Sequence, residues 1–296
     1  MRIDFDKTAY GKANAKINAS LDVLGLMPDG YHELDTVMVS LSLCDDVTVT
    51  LRHSAEMCVQ ISVPGFSQIV PQDAQNTAAK AALHFFDTLG ITGVCADIEI
   101  TKRIPVGAGL GGGSADAAAV LRALNALCGE PYTAEKLREI GLAVGADVPF
   151  CIDGGTVRAG GRGEVMTTLP NFPDCAIVLV KPVFSISTSE LYTKIDNVKI
   201  TEHPDTDGLV AAIAAGDLHG AAPRCFNVFE QVLSPDQNAT ITEIKNTLID
   251  GGALCAAMTG TGSAVFGIFE DAGAATAAKG ALAQGYETFL CRPERI

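Results

Sequence analysis

The sequence predicts an α+β fold in two domains, and three observations carry that expectation. Period-two alternation of apolar and polar residues recurs early in the chain, in AKINASLDV, TVMVSLSL, DVTVTLR and CVQISV, which reads as a largely antiparallel β-rich sheet. Helical stretches bounded by glycine are interleaved with it. Beyond the loop-like TTLPNFPD (167–174), the order becomes strand, helices, strand, strand, helix, strand, a ferredoxin-like pattern. The boundary is therefore expected near residue 170, dividing the chain into 1–168 and 169–296. A chain of 296 residues that is 48% hydrophobic is long enough to bury two modest cores.

Residues 15–23 place Ile17, Ala19, Leu21 and Val23 on one face of a strand and Lys16, Asn18, Ser20 and Asp22 on the other, so the strand is expected to be half-buried. The next alternation is expected to break at the acidic pair Asp45-Asp46. A helix from about Asn76 fits Ala78, Ala82, Phe85, Phe86 and Leu89, with Gly90 as its stop. Residues 95–103 alternate again. After Ile104-Pro105 the run GAGLGGGS opens a helix with Ala117, Val120, Leu121, Leu124 and Leu127 on one face, ended by Gly129. Thr133 then caps a helix that buries Leu137, Ile140 and Val144 and stops at Gly145. Asp147 follows that C-terminus, and Val148-Pro149 after it favours extended backbone. The last third reads as strand 175–181, helices between about 188 and 250, strands 254–259 and 264–269, helix 271–284 and strand 286–291.

No apolar run approaches the length of a membrane span. The opening MRIDFDKTAY carries acids where a signal peptide needs an apolar stretch, so a cytoplasmic protein is expected. The nine cysteines have no CxxC spacing and no closer pair than Cys44 and Cys58, which reads as reduced thiols packing as small hydrophobes. With 35 acidic against 21 basic residues the formal charge is -14, which disfavours nucleic acid and anionic membranes as partners. An anionic small-molecule substrate would have to be held by local cations, a metal or backbone amides.

Gly107, Gly109 and Gly112 satisfy G-x-G-x-x-G, but the context is wrong for a dinucleotide fold, because the preceding strand carries Glu99, Lys102 and Arg103. A Walker A loop needs Lys where Gly113 stands, and the protein-kinase motif set is absent. What remains is a run in which Gly107, Gly109, Gly111, Gly112 and Gly113 let backbone N–H groups face a phosphate at a helix N-terminus. Ser114 serves as the helix cap, as a hydroxyl near the phosphates and their Mg²⁺, or as both.

PVGAGLGGGSADAA, taken with AKIN, DGYHEL, GADVPF, GGTVRAGGRGE and MTGTGSAVF in that register, resembles the GHMP kinase superfamily. Within it, the pattern is similar to the kinases that phosphorylate the 2-hydroxyl of 4-diphosphocytidyl-2-C-methyl-D-erythritol in the non-mevalonate isoprenoid route. The resemblance spans residues 13–266. It implies an N-terminal α+β domain with a left-handed βαβ unit, a C-terminal ferredoxin-like domain, an active site in the cleft between them, and ATP with Mg²⁺ as cofactors. It implies catalytic roles for Lys16 and Asp147. It implies ATP binding by Pro105, Val106, Gly107, Ala108, Gly109, Leu110, Gly111, Gly112, Gly113, Ser114 and Ala115. Substrate contacts are implied for Asn18, Tyr31, His32, Thr188 and Tyr192, the two tyrosines flanking the cytosine. Gly260-Thr261-Gly262-Ser263 corresponds to the third family motif, and also reads as a hairpin turn. Three positions depart from the family pattern: Ala115 replaces a second serine, Arg158 a small residue, and Ala19 a leucine.

Overall fold

In the computed structural model, residues 3–66 and 68–295 are described. Two long strands come first, β1 (Thr8–Leu26) and β2 (His32–His53), followed by β3 (Cys58–Ser62), α1 (Thr77–Leu89), β4 (Val94–Thr101) and α2 (Gly112–Leu127). Helices α3 (Ala134–Leu142) and α4 (Val148–Asp153) lead to the hairpin of β5 (Thr156–Gly160) and β6 (Val165–Thr168). Then come β7 (Ala176–Lys181), α5 (Thr188–Ile195), α6 (Thr206–Ala215), α7 (Leu218–Ala221), β8 (Phe226–Asn227) and α8 (Pro235–Asp250). The chain closes with β9 (Cys255–Met258), β10 (Val265–Phe269), α9 (Ala272–Leu282) and β11 (Glu287–Cys291). Two compact units interleave along the chain. The first contains the chain up to Ala15, Cys44–Val106 and Gly111–Gly154; the second contains Lys16–Leu43, Gly107–Leu110 and everything from Gly155 onward.

In the first unit β2 pairs antiparallel with β4, from Asp46↔Thr101 to His53↔Val94, while β3 pairs with β4 in parallel. The β3-α1-β4 stretch is thus a parallel βαβ unit, which corrects the expectation of antiparallel pairing at CVQISV. The Asn76 side chain accepts from the Ala78 N–H, and Gly90 ends α1 in the left-handed region. Between these caps Ala78, Ala82, Phe85 and Phe86 are buried against Ala117, Leu121 and Leu124 of α2. Burial of a phenylalanine side chain of this kind contributes about 1.5–3 kcal/mol.

Three expectations change in this unit. Strand β2 runs through Asp45-Asp46 without a break. Asp45 is fully buried there because its carboxylate accepts from the backbone N–H groups of Arg103 (2.5 Å) and Ile104 (2.8 Å) and from Lys102 Nζ, while Arg103 pairs with Asp46. A buried carboxylate is tolerated when its lone pairs are filled in this way. Secondly, Cys58 and Cys95 are directly paired in the parallel register, Cα atoms 4.5 Å apart, and are joined as a disulfide. Their separation of 37 residues hid what the strand pairing brings together. The other cysteines are free thiols, and burial pushes Cys128 up to about 11 and Cys175 up to about 12. Thirdly, the helix capped by Thr133 ends at Leu142, and the residues after Asp147 are not extended. Val148–Asp153 form α4 with Asp147 at its N-cap position, since a proline in the first turn gives up an N–H that had no helical partner.

In the second unit β2 pairs with β5 and β5 with β6, and β1 pairs in parallel with the two-residue β8, Ser20↔Phe226 and Leu21↔Asn227. A separate antiparallel sheet has the order β11-β7-β10-β9, so the fourth, first, third and second strands of that region lie side by side, as the ferredoxin-like pattern requires. Val178, Val180, Val265 and Phe269 from one face of this sheet share a core with Ile244 and Leu248 of α8 and Ala275 and Ala278 of α9. Ser234 and Gln237 form a capping box at the start of α8. Strand β1 differs from its expected half-burial: Lys16, Asn18, Ser20 and Asp22 are as buried as Ile17, Ala19 and Leu21. Period-two patterning reports the polarity of a face, whereas burial depends on what covers it.

Candidate active site

Lys16 and Asn18 stand two residues apart on one face of β1, in the second unit. Lys16 Nζ donates to Asn18 Oδ1 at 2.7 Å, Asn18 Nδ2 donates to Thr36 Oγ1 at 2.8 Å, and Thr36 Oγ1 donates onward to the Ser20 carbonyl at 2.6 Å. The backbone N–H of Asn18 donates to Thr259 Oγ1 at 2.9 Å. These bonds hold the Asn18 side chain in one orientation, with Lys16 Nζ on its Oδ1.

Thr259 opens the turn between β9 and β10, closed by Thr259 N–H to the Ala264 carbonyl at 2.9 Å and Gly262 N–H to the Thr259 carbonyl at 2.9 Å. The first part of the glycine run lies against it. Ala264 N–H donates to the Ala108 carbonyl at 3.1 Å, and a Cβ on Gly109 would lie 2.2 Å from the Thr259 carbonyl oxygen. Gly109 also has φ +75°, so two independent constraints demand glycine there. Ala108 and Leu110 are buried, and Lys16 N–H donates to the Leu110 carbonyl at 3.0 Å. Thr188 Oγ1 lies 2.9 Å from Thr261 Oγ1, tying the first residue of α5 to the same turn.

Tyr31 follows the Asp29-Gly30 turn and is 55% exposed. The Arg162 guanidinium lies 3.7 Å from its ring centroid and pairs with Asp29, so one face of the ring is backed by a cation. His32 Nε2 donates to Asp196 Oδ1 at 2.7 Å, and its ring lies 4.7 Å from that of Tyr192, which meets Phe229 edge-on at 5.1 Å. The structure thus joins His32 to Tyr192. Arg158 accounts for itself locally: it holds Asp35 through two bonds (2.9 and 2.8 Å) and Asp207 through a third (2.7 Å).

The remaining glycines belong to the first unit. Pro105 is buried and Val106 is 37% exposed. Gly111 has φ 69° and occupies the N-cap position of α2, so Gly112, Gly113 and Ser114 form its first turn, with their N–H groups lacking helical acceptors. A Cβ on Gly112 would meet Ile104 Cγ2 at 3.1 Å and Lys102 Nζ at 3.3 Å; one on Gly113 would meet only Thr77, at 3.4 Å. Ser114 Oγ lies 3.9 Å from where a Cβ on Gly145 would stand, two residues before Asp147. Ala115 is buried and carries no hydroxyl. Asp147 is half-buried at the N-cap position of α4.

Beneath this turn lies a cluster that sequence reasoning missed. Lys102 Nζ donates to Asp45 Oδ2 (2.5 Å) and Asp116 Oδ2 (2.7 Å), all three side chains being nearly inaccessible. Burial raises the Asp116 carboxyl to about 7 against the opposing pull of Lys102, and its Oδ1 has no hydrogen-bond partner. Burial works against the Lys102 charge too, but the two carboxylates outweigh it and its pKa is raised. The only sequence signal was TKR standing directly before the glycine run.

Comparison with known proteins agrees with this architecture. The family models described as GHMP kinases N terminal domain and GHMP kinases C terminal match residues 76–155 and 209–288. A 4-diphosphocytidyl-2-C-methyl-D-erythritol kinase from Clostridium novyi (strain NT) is 42% identical over 262 residues, covering 88% of this chain and 91% of the relative. This chain belongs to the GHMP kinases. As a GHMP kinase it is a small-molecule phosphotransferase with ATP as its substrate, and its α+β fold in family domains is that of the group. A second relative of the same name, from Acetivibrio thermocellus, is 44% identical over 261 residues, covering 88% of this chain and 89% of its own. Among solved structures, a 4-(cytidine 5'-diphospho)-2C-methyl-D-erythritol kinase superposes with a TM-score of 0.81 at 29% identity, covering 97% of this chain and all of its own. A homoserine kinase from Cytophaga hutchinsonii, at 20% identity and a TM-score of 0.77, shares the fold, covering 99% of this chain and 97% of its own. Among the described residues, no helix is long and apolar enough to cross a membrane.

Proposed function

We propose that this GHMP kinase transfers the γ-phosphoryl group of ATP to the 2-hydroxyl of 4-diphosphocytidyl-2-C-methyl-D-erythritol, a step of the non-mevalonate route to isoprenoid precursors. The observation that carries the reading is the similarity of about nine-tenths of the chain, at 42–44% identity, to kinases named for that substrate. Asp147 accepts the proton of the attacking hydroxyl, and Lys16, its ammonium oriented by Asn18, compensates the developing negative charge. Residues 105–115 take the triphosphate, with the N–H groups of the first turn of α2 as donors. Asn18 and Thr188 place the sugar-alcohol end; Tyr31, His32 and Tyr192 hold the cytidine end.

Among the described residues, no three of His, Cys, Asp and Glu converge to form a ready-made metal site. Mg²⁺ would arrive on the triphosphate, since this ion usually keeps waters and few protein ligands. Ser114 Oγ, in the first turn of α2, is the oxygen that would be offered to it in this reading. When bound, Mg²⁺ neutralises charge on the transferring phosphoryl group. A division at 168/169 is part of this reading; it is supported by the matched stretches ending at 155 and beginning at 209. A cytoplasmic location without nucleic-acid or anionic-membrane partners belongs to the same reading and is supported by the net charge of -14.

Steady-state kinetics on Tyr31→Ala and Tyr192→Ala tests the substrate. Loss of one stacking face costs about 1–3 kcal/mol, raising the KM for the cytidylated acceptor roughly tenfold to a hundredfold with ATP saturation unchanged. Unchanged acceptor KM in both variants, or impaired ATP saturation instead, would contradict the cytidine pocket.

A further inference from the structure

Lys181 is the last residue of β7 and only 8% exposed, a buried cation with no part in the chemistry above. Its side chain turns back on the segment that follows: Nζ donates to the carbonyls of Pro182 and Phe184, each at 2.7 Å. Burial lowers its pKa, with Glu287, its register partner on β11, acting in the opposite direction. The Phe184 carbonyl accepts a second bond, from Ser263 Oγ at 2.5 Å, and Ser263 belongs to the β9–β10 turn. Three later residues of the segment then meet a glycine-bearing loop of the same unit. Ser185 Oγ lies 2.9 Å from where a Cβ on Gly107 would stand, Ile186 Cδ1 lies 3.0 Å from the same point on Gly262, and Thr188 bonds Thr261.

We propose that Lys181 is a positioning residue for both substrates, its ammonium fixing where the 182–188 segment meets the Gly107–Leu110 and Gly260–Ser263 loops. The inference rests on the proposed function, since Gly107–Leu110 takes part in donor binding there and Thr188 in acceptor binding. The physical basis is the two carbonyls. Without a donor they would be left underbonded and partly buried, and the segment would relax toward water, freeing Ser185 and Thr188 from their contacts. A residue that merely stabilised the fold would shift the melting temperature and leave both affinities alone.

Lys181→Met keeps the aliphatic stem and removes the donors. It is expected to weaken ATP binding, read by calorimetry, and to raise the acceptor KM, each about tenfold, with kcat changed less. Lys181→Arg, which restores a cation and donors, recovers part of both losses. Ser263→Ala removes the other donor to the Phe184 carbonyl and shifts the same two quantities by less, and its effect combined with Lys181→Met is non-additive. A folded Lys181→Met protein with wild-type ATP affinity and acceptor KM overturns the proposal; if circular dichroism shows that this variant does not fold, unchanged affinities in Ser263→Ala overturn it instead. Wild-type protein that binds ATP yet leaves the cytidylated acceptor unphosphorylated sinks the substrate reading, and the ATP affinity alone then decides for or against Lys181.

Discussion

Gly107 and Gly109 belong to one compact unit and Gly111, Gly112 and Gly113 to the other, and the two groups are glycine for different reasons. At Gly109 a side chain would run into backbone, the Thr259 carbonyl 2.2 Å away and Gly262 N at 3.1 Å, atoms held in a closed turn. At Gly112 and Gly113 it would meet the ends of side chains, and neither residue has positive φ. The first half of the run is glycine because the protein itself occupies the space. In the second half Gly111 is held by its left-handed backbone and a Cβ on Gly112 would press on Ile104 at 3.1 Å, so Gly113 is the position that leaves room for one. A contiguous motif can therefore answer to different constraints along its length.

The largest expected effect leaves both halves intact. Asp147→Asn removes the proposed proton acceptor without touching either group of glycines, so kcat is expected to fall about a hundredfold or more while ATP binding is nearly unchanged. Turnover close to wild type would remove Asp147 from that role. Gly109→Ala is expected next: the left-handed backbone alone costs roughly 1–2 kcal/mol, and displacement of the β9–β10 turn adds to it. Both the melting temperature and the ATP affinity should fall, and a variant with normal stability would show that the contact with Thr259 is not a constraint.

Asp116, beneath the second half, sharpens the contrast through pH. Its carboxyl is raised to about 7 by burial, above its ordinary value of 3.8, so the fold favours the neutral form. That contribution is full below the unfolded pKa and is lost as pH rises through the folded one. The melting temperature of the wild type relative to Asp116→Asn should accordingly decline between about pH 4 and about pH 7 and level off above; a constant difference would contradict the shift. The smallest structural effect is expected for Gly113→Ala, which fits the first turn of a helix and should be neutral to slightly stabilising, by up to about 1 kcal/mol. If its ATP KM nevertheless rises, the second half is reserved for phosphate; if stability and KM are both unchanged, it is not.

Much of this was legible in the chain. Asn76 and Gly90 as the ends of α1, Thr133 as a cap, and the strand order of the ferredoxin-like region all follow from local chemistry, where a single residue type suffices as signal. What failed was non-local. Asp45-Asp46 reads as a break because the residues that satisfy it, Lys102 to Ile104, lie more than fifty positions away and only β2–β4 pairing brings them near. Cys58 and Cys95 meet for the same reason, through the register of β3 on β4. The extended backbone expected at Val148-Pro149 gave way to a short helix that proline tolerates in its first turn. Lys16 and Asn18 were visible as one strand face, but their burial, and the partners Thr36 and Thr259 that orient Asn18, depend on distant segments.

Acceptor choice tests the central claim most directly. Purified protein with ATP and Mg²⁺ would be offered 4-diphosphocytidyl-2-C-methyl-D-erythritol, mevalonate, homoserine and galactose in parallel, with ADP formation followed for each. The expected result is turnover of the cytidylated acceptor with a kcat/KM far above that of the other three. Preferred turnover of mevalonate, homoserine or galactose, or ADP formation from none of the four by folded protein, would contradict it.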